Sequence, residues 1–102
     1  MALRIQVQYY GLMKRAAGCS DETFELPEGG VLADLIKVLV ARHGPPMEPL
    51  LLTGGGELRA EAAVLLNGRN AVTLQGLATP LQEEDKAVIV LLAPALTGGA
   101  AA

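Results

Sequence analysis

The amino-acid sequence predicts an α+β roll, in which a mixed sheet of about four or five strands is covered by one main helix. Three observations carry this prediction. Apolar and polar residues alternate over residues 3–10, apolar residues recur at helical spacing over residues 31–43, and residues 87–93 are apolar on both faces. The chain has 102 residues, the size of one domain, so we expect a domain at 1–97 and a flexible tail at 98–102.

The first two strands are expected to be antiparallel neighbours because they are close in sequence. In the first, the odd-numbered residues, including Tyr9, face the core, whereas Tyr10 faces outward. The second covers residues 22–27, with Phe24 and Leu26 inward, and a Pro-Glu-Gly-Gly sequence ends it. The connection between the two strands has room for one helical turn.

The main helix, residues 31–43, has a clear inward stripe and a clear end. Gly44 and the two prolines after it stop the helix. Val31 stands at the cap position, where Ser, Thr or Asp is preferred, although Asp34 places a carboxylate in the first turn. The stripe consists of Leu32, Leu35, Ile36, Leu39 and His43.

The second half of the chain is less regular. Residues 47–61 show only an apolar triplet and a glycine-rich bend. A third strand is predicted over residues 62–66, and an Asn-Gly dipeptide at 67–68, typical of a tight hairpin turn, ends it. A short return strand is predicted at 71–74. The last strand is apolar on both faces, as expected of a covered, central strand.

Composition excludes several classes of protein. The net charge is −3 and the cations are scattered, so we expect no nucleic-acid partner. The longest apolar run is too short to span a bilayer and contains Pro94, so we expect no membrane partner. The chain has one cysteine, Cys19, which excludes an internal disulfide. A cytoplasmic protein is therefore expected.

Few side chains outside the end of the chain suggest chemistry. His43 is the only histidine and is interpreted as a capping or surface group at a helix end. Cys19 has no partner base nearby in sequence. The glycines at 54–56 lack the Lys-Ser/Thr of a phosphate-binding loop, and the acids at 83–85 are predicted to form a solvated turn. No Cys, His and acid cluster has metal-ligand spacing, so no bound metal is expected.

The end of the chain is the remaining candidate site. The last strand leads through Pro94 into small residues and then a diglycine, Gly98 and Gly99. Glycines carry no Cβ, so such a segment is able to enter a narrow channel on a partner. A frayed terminus without a role is the alternative reading of the same residues.

Three segments resemble the MoaD/ThiS family of ubiquitin-like sulfur carriers, and most of all the small subunit of molybdopterin synthase. They are VQYYGLMKRAAG, FELPEGGVLADLIKVLVARHG and VLLNGRNAVTLQGLATPLQEEDKAVIVLLAPALTGG. Their order and spacing extend over nearly the whole chain. The resemblance implies a β-grasp fold whose diglycine is the functional end.

The resemblance also implies the chemistry. A ubiquitin-activating-like adenylyltransferase would use ATP to adenylate the carboxylate of Gly99, and sulfur from a donor protein would then convert it to a thiocarboxylate. The tail would enter the large subunit of molybdopterin synthase and give its sulfur to a pterin precursor. The chain itself would be a non-catalytic carrier that binds no cofactor and no metal.

The resemblance further implies which residues contact partners. By alignment these residues are Tyr10, Leu74, Ala93, Pro94, Leu96 and Thr97. Ala93 and Ala95 stand where the family has a larger apolar residue and a proline, and Val31 replaces the usual threonine cap.

Three alanines follow Gly99, and an amide-linked glycine cannot be adenylated. Either a protease removes Ala100–Ala102 or these alanines are a cloning remnant. Other functions stay open at this point: a carrier serving thiamine, cysteine or another sulfur product, a ubiquitin-like protein modifier, or a non-conjugating interaction domain.

Overall fold

The computed structural model describes residues 2–91, and these residues form a mixed five-stranded sheet. Its strands are β1 (Ala2–Tyr10), β2 (Asp21–Pro27), β3 (Ala62–Leu66), β4 (Arg69–Asn70) and β5 (Lys86–Leu91). The strand order is β2-β1-β5-β3-β4, with β1 and β5 parallel and the other neighbouring pairs antiparallel. The predicted roll is confirmed, and its topology is that of a β-grasp.

The helices pack on one face of this sheet. They are α1 (Leu12–Ala17), α2 (Leu32–His43) and α3 (Glu48–Leu51). α1 replaces the single turn expected after β1. No helix within residues 2–91 is long and apolar enough to cross a membrane.

The main helix, α2, covers the sheet with the stripe that its sequence predicts. Leu32, Leu35, Ile36 and Leu39 are each at most 2% exposed. Burial of one such side chain contributes about 1.5–3 kcal/mol relative to leaving it in water, so this stripe fixes the helix on the sheet. The N–H of Val31 donates to the Asp34 carboxylate over 2.9 Å, which compensates for the missing Ser or Thr cap.

The hairpin between β3 and β4 closes through the predicted Asn-Gly turn. Asn67 and Gly68 both have positive φ, 50° and 87°, as a two-residue type I′ turn requires. The return strand was predicted at residues 71–74, and this prediction is wrong. A turn this tight lets pairing start at once, so the return strand is Arg69–Asn70.

The residues after β4 leave the sheet because a polar side chain diverts the backbone. The Asn70 side chain accepts a hydrogen bond from the Val72 N–H over 3.1 Å, which begins a 3₁₀ turn at Ala71–Thr73. Ala71 is buried, whereas Val72 is 72% exposed. The β3–β4 ladder therefore ends at Asn70, and the apolar residues that suggested a strand lie in and after the 3₁₀ turn.

The segment that the sequence left undefined, residues 47–61, is held by its apolar residues. Met47 and Leu51 are fully buried. Leu52 and Leu58 then form an isolated β-bridge that closes the glycine-rich bend. The Thr53 hydroxyl accepts hydrogen bonds from backbone N–H groups inside this bend, so the bend is a structured loop.

The acidic turn at residues 83–85 extends the sheet. The Glu84 N–H donates to the Arg4 carbonyl over 2.8 Å, and the Gln6 N–H donates to the Asp85 carbonyl over 3.0 Å. The Asp85 carboxylate also accepts from the Asn67 side chain over 2.9 Å. The turn was predicted to be solvated, and it is also joined to both β1 and the β3–β4 hairpin.

A pair of glycine substitutions tests the hairpin turn. We expect Gly68→Ala to lower the free energy of unfolding by about 1 kcal/mol or more, because a side chain at φ +87° is strained. Gly54→Ala is the matched control, since Gly54 is exposed and a Cβ there meets open space. Chemical denaturation measures both, and equal effects of the two substitutions would contradict the turn assignment.

Candidate functional site

Most of the predicted sulfur-carrier residues lie outside the described residues. They are Ala93, Pro94, Leu96, Thr97, Gly98 and Gly99, and the expected domain boundary at residues 97–98 lies there too. What the structure describes is the root of this segment, which is the end of β5 at Leu91, together with the surface around it.

The end of β5 lies beside the end of β1 because these two strands run parallel. Val90 of β5 is the register partner of Tyr10 on one side and of Ala63 on the other. Tyr10 is 52% exposed, on the outward face that its sequence predicts. The last described residue, Leu91, therefore lies beside Tyr10, at the end of the sheet where both strands end.

The outward face of the sheet beside Tyr10 is apolar. Val88 and Val90 of β5 point to this face and are partly exposed, as is Leu65 of β3. The buried apolar residues of α1 to α3 lie in the core on the opposite face. The apolar outer side of β5, taken from the sequence as a covered side, is therefore partly open to solvent. We call the surface of Tyr10, Ala63, Leu65, Val88 and Val90 the outer apolar face.

Leu74, the other described residue of the predicted contact set, lies at a different place. It is partly buried against the core and lines an open groove of about 310 Å³ with Leu66, Pro80 and Asp85. Leu66 and Asp85 mark the start of β5, whereas Tyr10 lies by its end. The two residues therefore do not form one compact site.

A polar cluster that the sequence did not predict lies between β1, β2 and the last turn of α2. The Glu22 carboxylate accepts from the Tyr9 hydroxyl and from the Arg42 Nε, each over 2.8 Å. The His43 Nε2 lies 2.5 Å from the same carboxylate. The Tyr9 and His43 rings meet edge to face with centroids 5.8 Å apart. These four side chains join the end of α2 to the first two strands.

Charge and burial oppose each other in this cluster. Burial of the Glu22 carboxylate favours its neutral form, but the hydrogen bonds from Tyr9, His43 and Arg42 outweigh burial and lower the pKa of Glu22. Burial, and then the adjacent Glu22 carboxylate, raises the pKa of Tyr9. Both Glu22 carboxylate oxygens thus have partners within the cluster.

The interpretation of His43 as a capping or surface group is wrong, because its side chain is 9% exposed. The last turn of α2 lies against the sheet, which buries the imidazole beside Tyr9. The sequence did hold a signal: His43 follows the apolar stripe of α2, and Glu22 precedes Phe24 and Leu26 with the same inward alternation.

No other described side chain forms a chemical centre. Partial burial and then the negative charges of Glu22 and Asp21 raise the pKa of the Cys19 thiol, which disfavours a reactive thiolate. Within residues 2–91, no group of three or more His, Cys, Asp or Glu side chains is placed to hold a metal ion.

The comparisons with known proteins agree with this topology. A family model described as the ThiS family matches residues 7–99, and no curated protein matches the sequence. The crystal structure of H. volcanii small archaeal modifier protein 1 is similar at 20% identity and a TM-score of 0.78, over 88% of this chain and 98% of that one.

Two further structures have the same fold. A candidate molybdopterin converting factor, subunit 1, from Pyrococcus furiosus is 21% identical with a TM-score of 0.72, over 88% of this chain and 98% of that one. The BexX/CysO complex of Amycolatopsis orientalis contains a chain that is 17% identical with a TM-score of 0.70, over 86% of this chain and 94% of that one. At these identities the likeness establishes the ubiquitin-like fold.

The cluster makes a prediction that depends on pH. We expect Glu22→Gln to lower the free energy of unfolding by about 1–3 kcal/mol at neutral pH, because a charged acceptor of three side chains is lost. The pKa of folded Glu22 lies below its usual 4.5, so its stabilisation is present above that pH and is lost as the pH falls through the folded-state value. Denaturation at several pH values should show the difference from the wild type shrinking in acid.

Glu25→Gln is the matched control for this experiment. Glu25 is an exposed carboxylate on the same strand, with no ion pair among the described residues. We expect it to change stability by about 0.5 kcal/mol or less. A Glu22→Gln effect of that small size, or one independent of pH, would contradict the stabilising role of the cluster.

Proposed function

Because the chain belongs to the ThiS family, we propose that it is a sulfur carrier that holds sulfur as a thiocarboxylate on Gly99. One observation carries the proposal: the family match runs from residue 7 through the last strand and ends on Gly99. The match thus includes the diglycine, so the diglycine belongs to the family pattern. This favours a functional diglycine over a frayed terminus without a role.

The proposed chemistry needs a free carboxylate on Gly99. After removal of Ala100–Ala102, a carboxylate oxygen of Gly99 attacks the α-phosphate of ATP in a ubiquitin-activating-like partner and releases pyrophosphate. Hydrosulfide supplied by a donor protein then attacks the acyl carbon, which forms the C–S bond and breaks the C–O bond to AMP, and loss of the sulfur proton leaves the thiocarboxylate. In this proposal the carrier supplies no acid or base of its own.

The outer apolar face is the proposed docking surface for these partners. Tyr10 is a half-exposed aromatic, and such residues often anchor protein interfaces. From Tyr10, the partly exposed valines Val90 and Val88 run back along β5, away from the end of this strand at Leu91. A partner that binds this face therefore also lies close to the end of β5 at Leu91. Leu74 would make a separate, peripheral contact.

For the pathway, we propose molybdopterin synthesis, with the large subunit of molybdopterin synthase as the acceptor partner. The support is the resemblance of the Asn-Gly turn, the Leu-Ala-Thr-Pro-Leu link and the final strand to that small subunit. The fold shared with the Pyrococcus furiosus protein is consistent with it. Carriers serving thiamine, cysteine or another sulfur product share the same activation step and remain the alternative.

A second candidate function is protein modification, favoured by the likeness to the small archaeal modifier protein. In that case the activated Gly99 would form an isopeptide bond with a lysine of a target protein. The activation step is common to both functions, and only the nucleophile that attacks the adenylate differs.

Intact-mass measurement tests the carrier function. The chain ending at Gly99, incubated with a family activating enzyme, MgATP and a sulfur donor, should gain the mass of one sulfur-for-oxygen exchange. The chain that retains Ala100–Ala102 should stay unchanged, and so should a chain ending at Gly98. A lysine adduct in place of the exchange would favour the modifier function, and no change in any of the chains would exclude both.

Substitution of Tyr10 tests the docking surface. We expect Tyr10→Ala to weaken binding to the activating enzyme about tenfold or more, since truncating an aromatic hot spot costs about 2 kcal/mol or more and tenfold corresponds to about 1.4 kcal/mol. Val72→Ala is the matched control, because Val72 is also an exposed apolar residue but lies beyond β4. Titration calorimetry measures both, and equal losses would contradict the assignment of the outer apolar face.

A further inference from the structure

The sheet ends on two unequal edges. At one edge, β4 has 2 residues, whereas at the other, β2 has 7. A strand at an edge leaves half of its backbone N–H and C=O groups without strand partners, and these groups are able to pair with another chain. β2 is therefore the longer free edge of the described sheet.

The pairing of β2 with β1 determines which backbone groups are free. The Tyr9 N–H donates to the Ser20 carbonyl over 2.9 Å, which makes this a hydrogen-bonded pair. Hydrogen-bonded and non-hydrogen-bonded pairs alternate along an antiparallel ladder. The register then assigns Asp21, Thr23 and Glu25 to non-hydrogen-bonded pairs, so their N–H and C=O groups point toward the free edge.

The other side of β1 agrees with this assignment. Gln6 is the register partner of Thr23, and its N–H donates to the Asp85 carbonyl, on the β5 side. The backbone of Gln6 thus points away from β2, as a member of a non-hydrogen-bonded pair must.

The outward side chains along this edge are acidic. Asp21 and Glu25 are exposed and form no ion pair among the described residues. Arg4, the register partner of Glu25, does not neutralise it through a salt bridge. On the outward side of β2, a neighbouring strand would therefore meet negative charge at Asp21 and at Glu25, with Thr23 between them.

The inward side of the same edge has a different chemistry. Arg42 lies over the Phe24 ring, 5.8 Å from its centroid, which disfavours a second cation there. An open groove beside the end of β2 has apolar walls and charges of both signs. Its lining includes Leu26, Pro27, Glu28, Asp34, Lys37 and Val38. Apolar side chains of an added strand suit this side best.

We propose that the β2 edge binds an extended segment of a partner protein in which basic and apolar residues alternate. The partner strand pairs with the free backbone groups of Asp21, Thr23 and Glu25, its basic side chains face the two acids, and its apolar side chains face Phe24 and the groove. This interaction surface is separate from the outer apolar face and does not depend on sulfur chemistry.

A second copy of this chain is a poorer occupant of the edge. If two β2 strands paired with each other, their exposed acids would lie close to one another, and like charges in cross-strand positions are destabilising. Charge complementarity therefore selects a basic strand over self-association.

The first measurement uses capped hexapeptides as probes with the full chain. A peptide of alternating lysine and valine should shift the backbone amide resonances of residues 21–25, whereas one of alternating glutamate and valine should not. Residue 68, in the distant β3–β4 turn, serves as the internal reference. Light scattering on the same sample reports whether the chain pairs with itself.

Three variants locate the binding. Thr23→Pro removes a free N–H at a position where an edge strand tolerates proline. It should weaken the binding of the lysine–valine peptide about fivefold or more. Thr23→Val, which keeps the N–H, is the matched control and should change the affinity by about twofold or less. The double variant D21K/E25K should no longer bind the lysine–valine peptide and should bind the glutamate–valine peptide instead. Thermal unfolding checks that each variant is folded.

Several results would overturn the proposal. No shift with the lysine–valine peptide at millimolar concentration would mean that the acids only protect the edge from association. Equal weakening of peptide binding by Thr23→Pro and Thr23→Val would contradict the proposed backbone pairing. An unchanged peptide preference in D21K/E25K would contradict the proposed selection by charge. A stable dimer through β2 in the wild type would make a second copy the occupant.

Discussion

The parallel pairing of β1 with β5 is the constraint on which the rest of this structure depends. It brings the first and last strands of the described residues side by side at the centre of the sheet, with Tyr10 opposite Val90. Parallel strands need a long crossover, and α2, lying on one face, belongs to the chain that makes it. The same pairing places Leu91, the last described residue, at the end of the sheet where Tyr10 lies.

The two faces of β5 serve different purposes. Ala87 and Ile89 are fully buried against the core, whereas Val88 and Val90 are partly exposed on the other face. A central strand that is apolar on both faces is usually covered on both. Here one cover is built from the helices, and a partner protein is the proposed source of the other.

The polar cluster explains how one helix is held in register on the sheet. Hydrophobic contacts alone permit small shifts of a helix, but Glu22 accepts hydrogen bonds from both β1 and α2. Its negative charge therefore fixes the end of α2 relative to the strand that ends in Tyr10. The cluster thus joins the helix to the first two strands of the scaffold.

Local patterns determined much of this protein from the sequence alone: the alternation in β1 and β2, the stripe of α2, the Asn-Gly turn and the diglycine of the family match. These features depend on residues close together in the chain. The tertiary structure alone decided that His43 meets Glu22, that one face of β5 is partly open and that β2 is a free edge. Each of these depends on which distant segments meet, and side-chain periodicity within one segment carries no information about its neighbours.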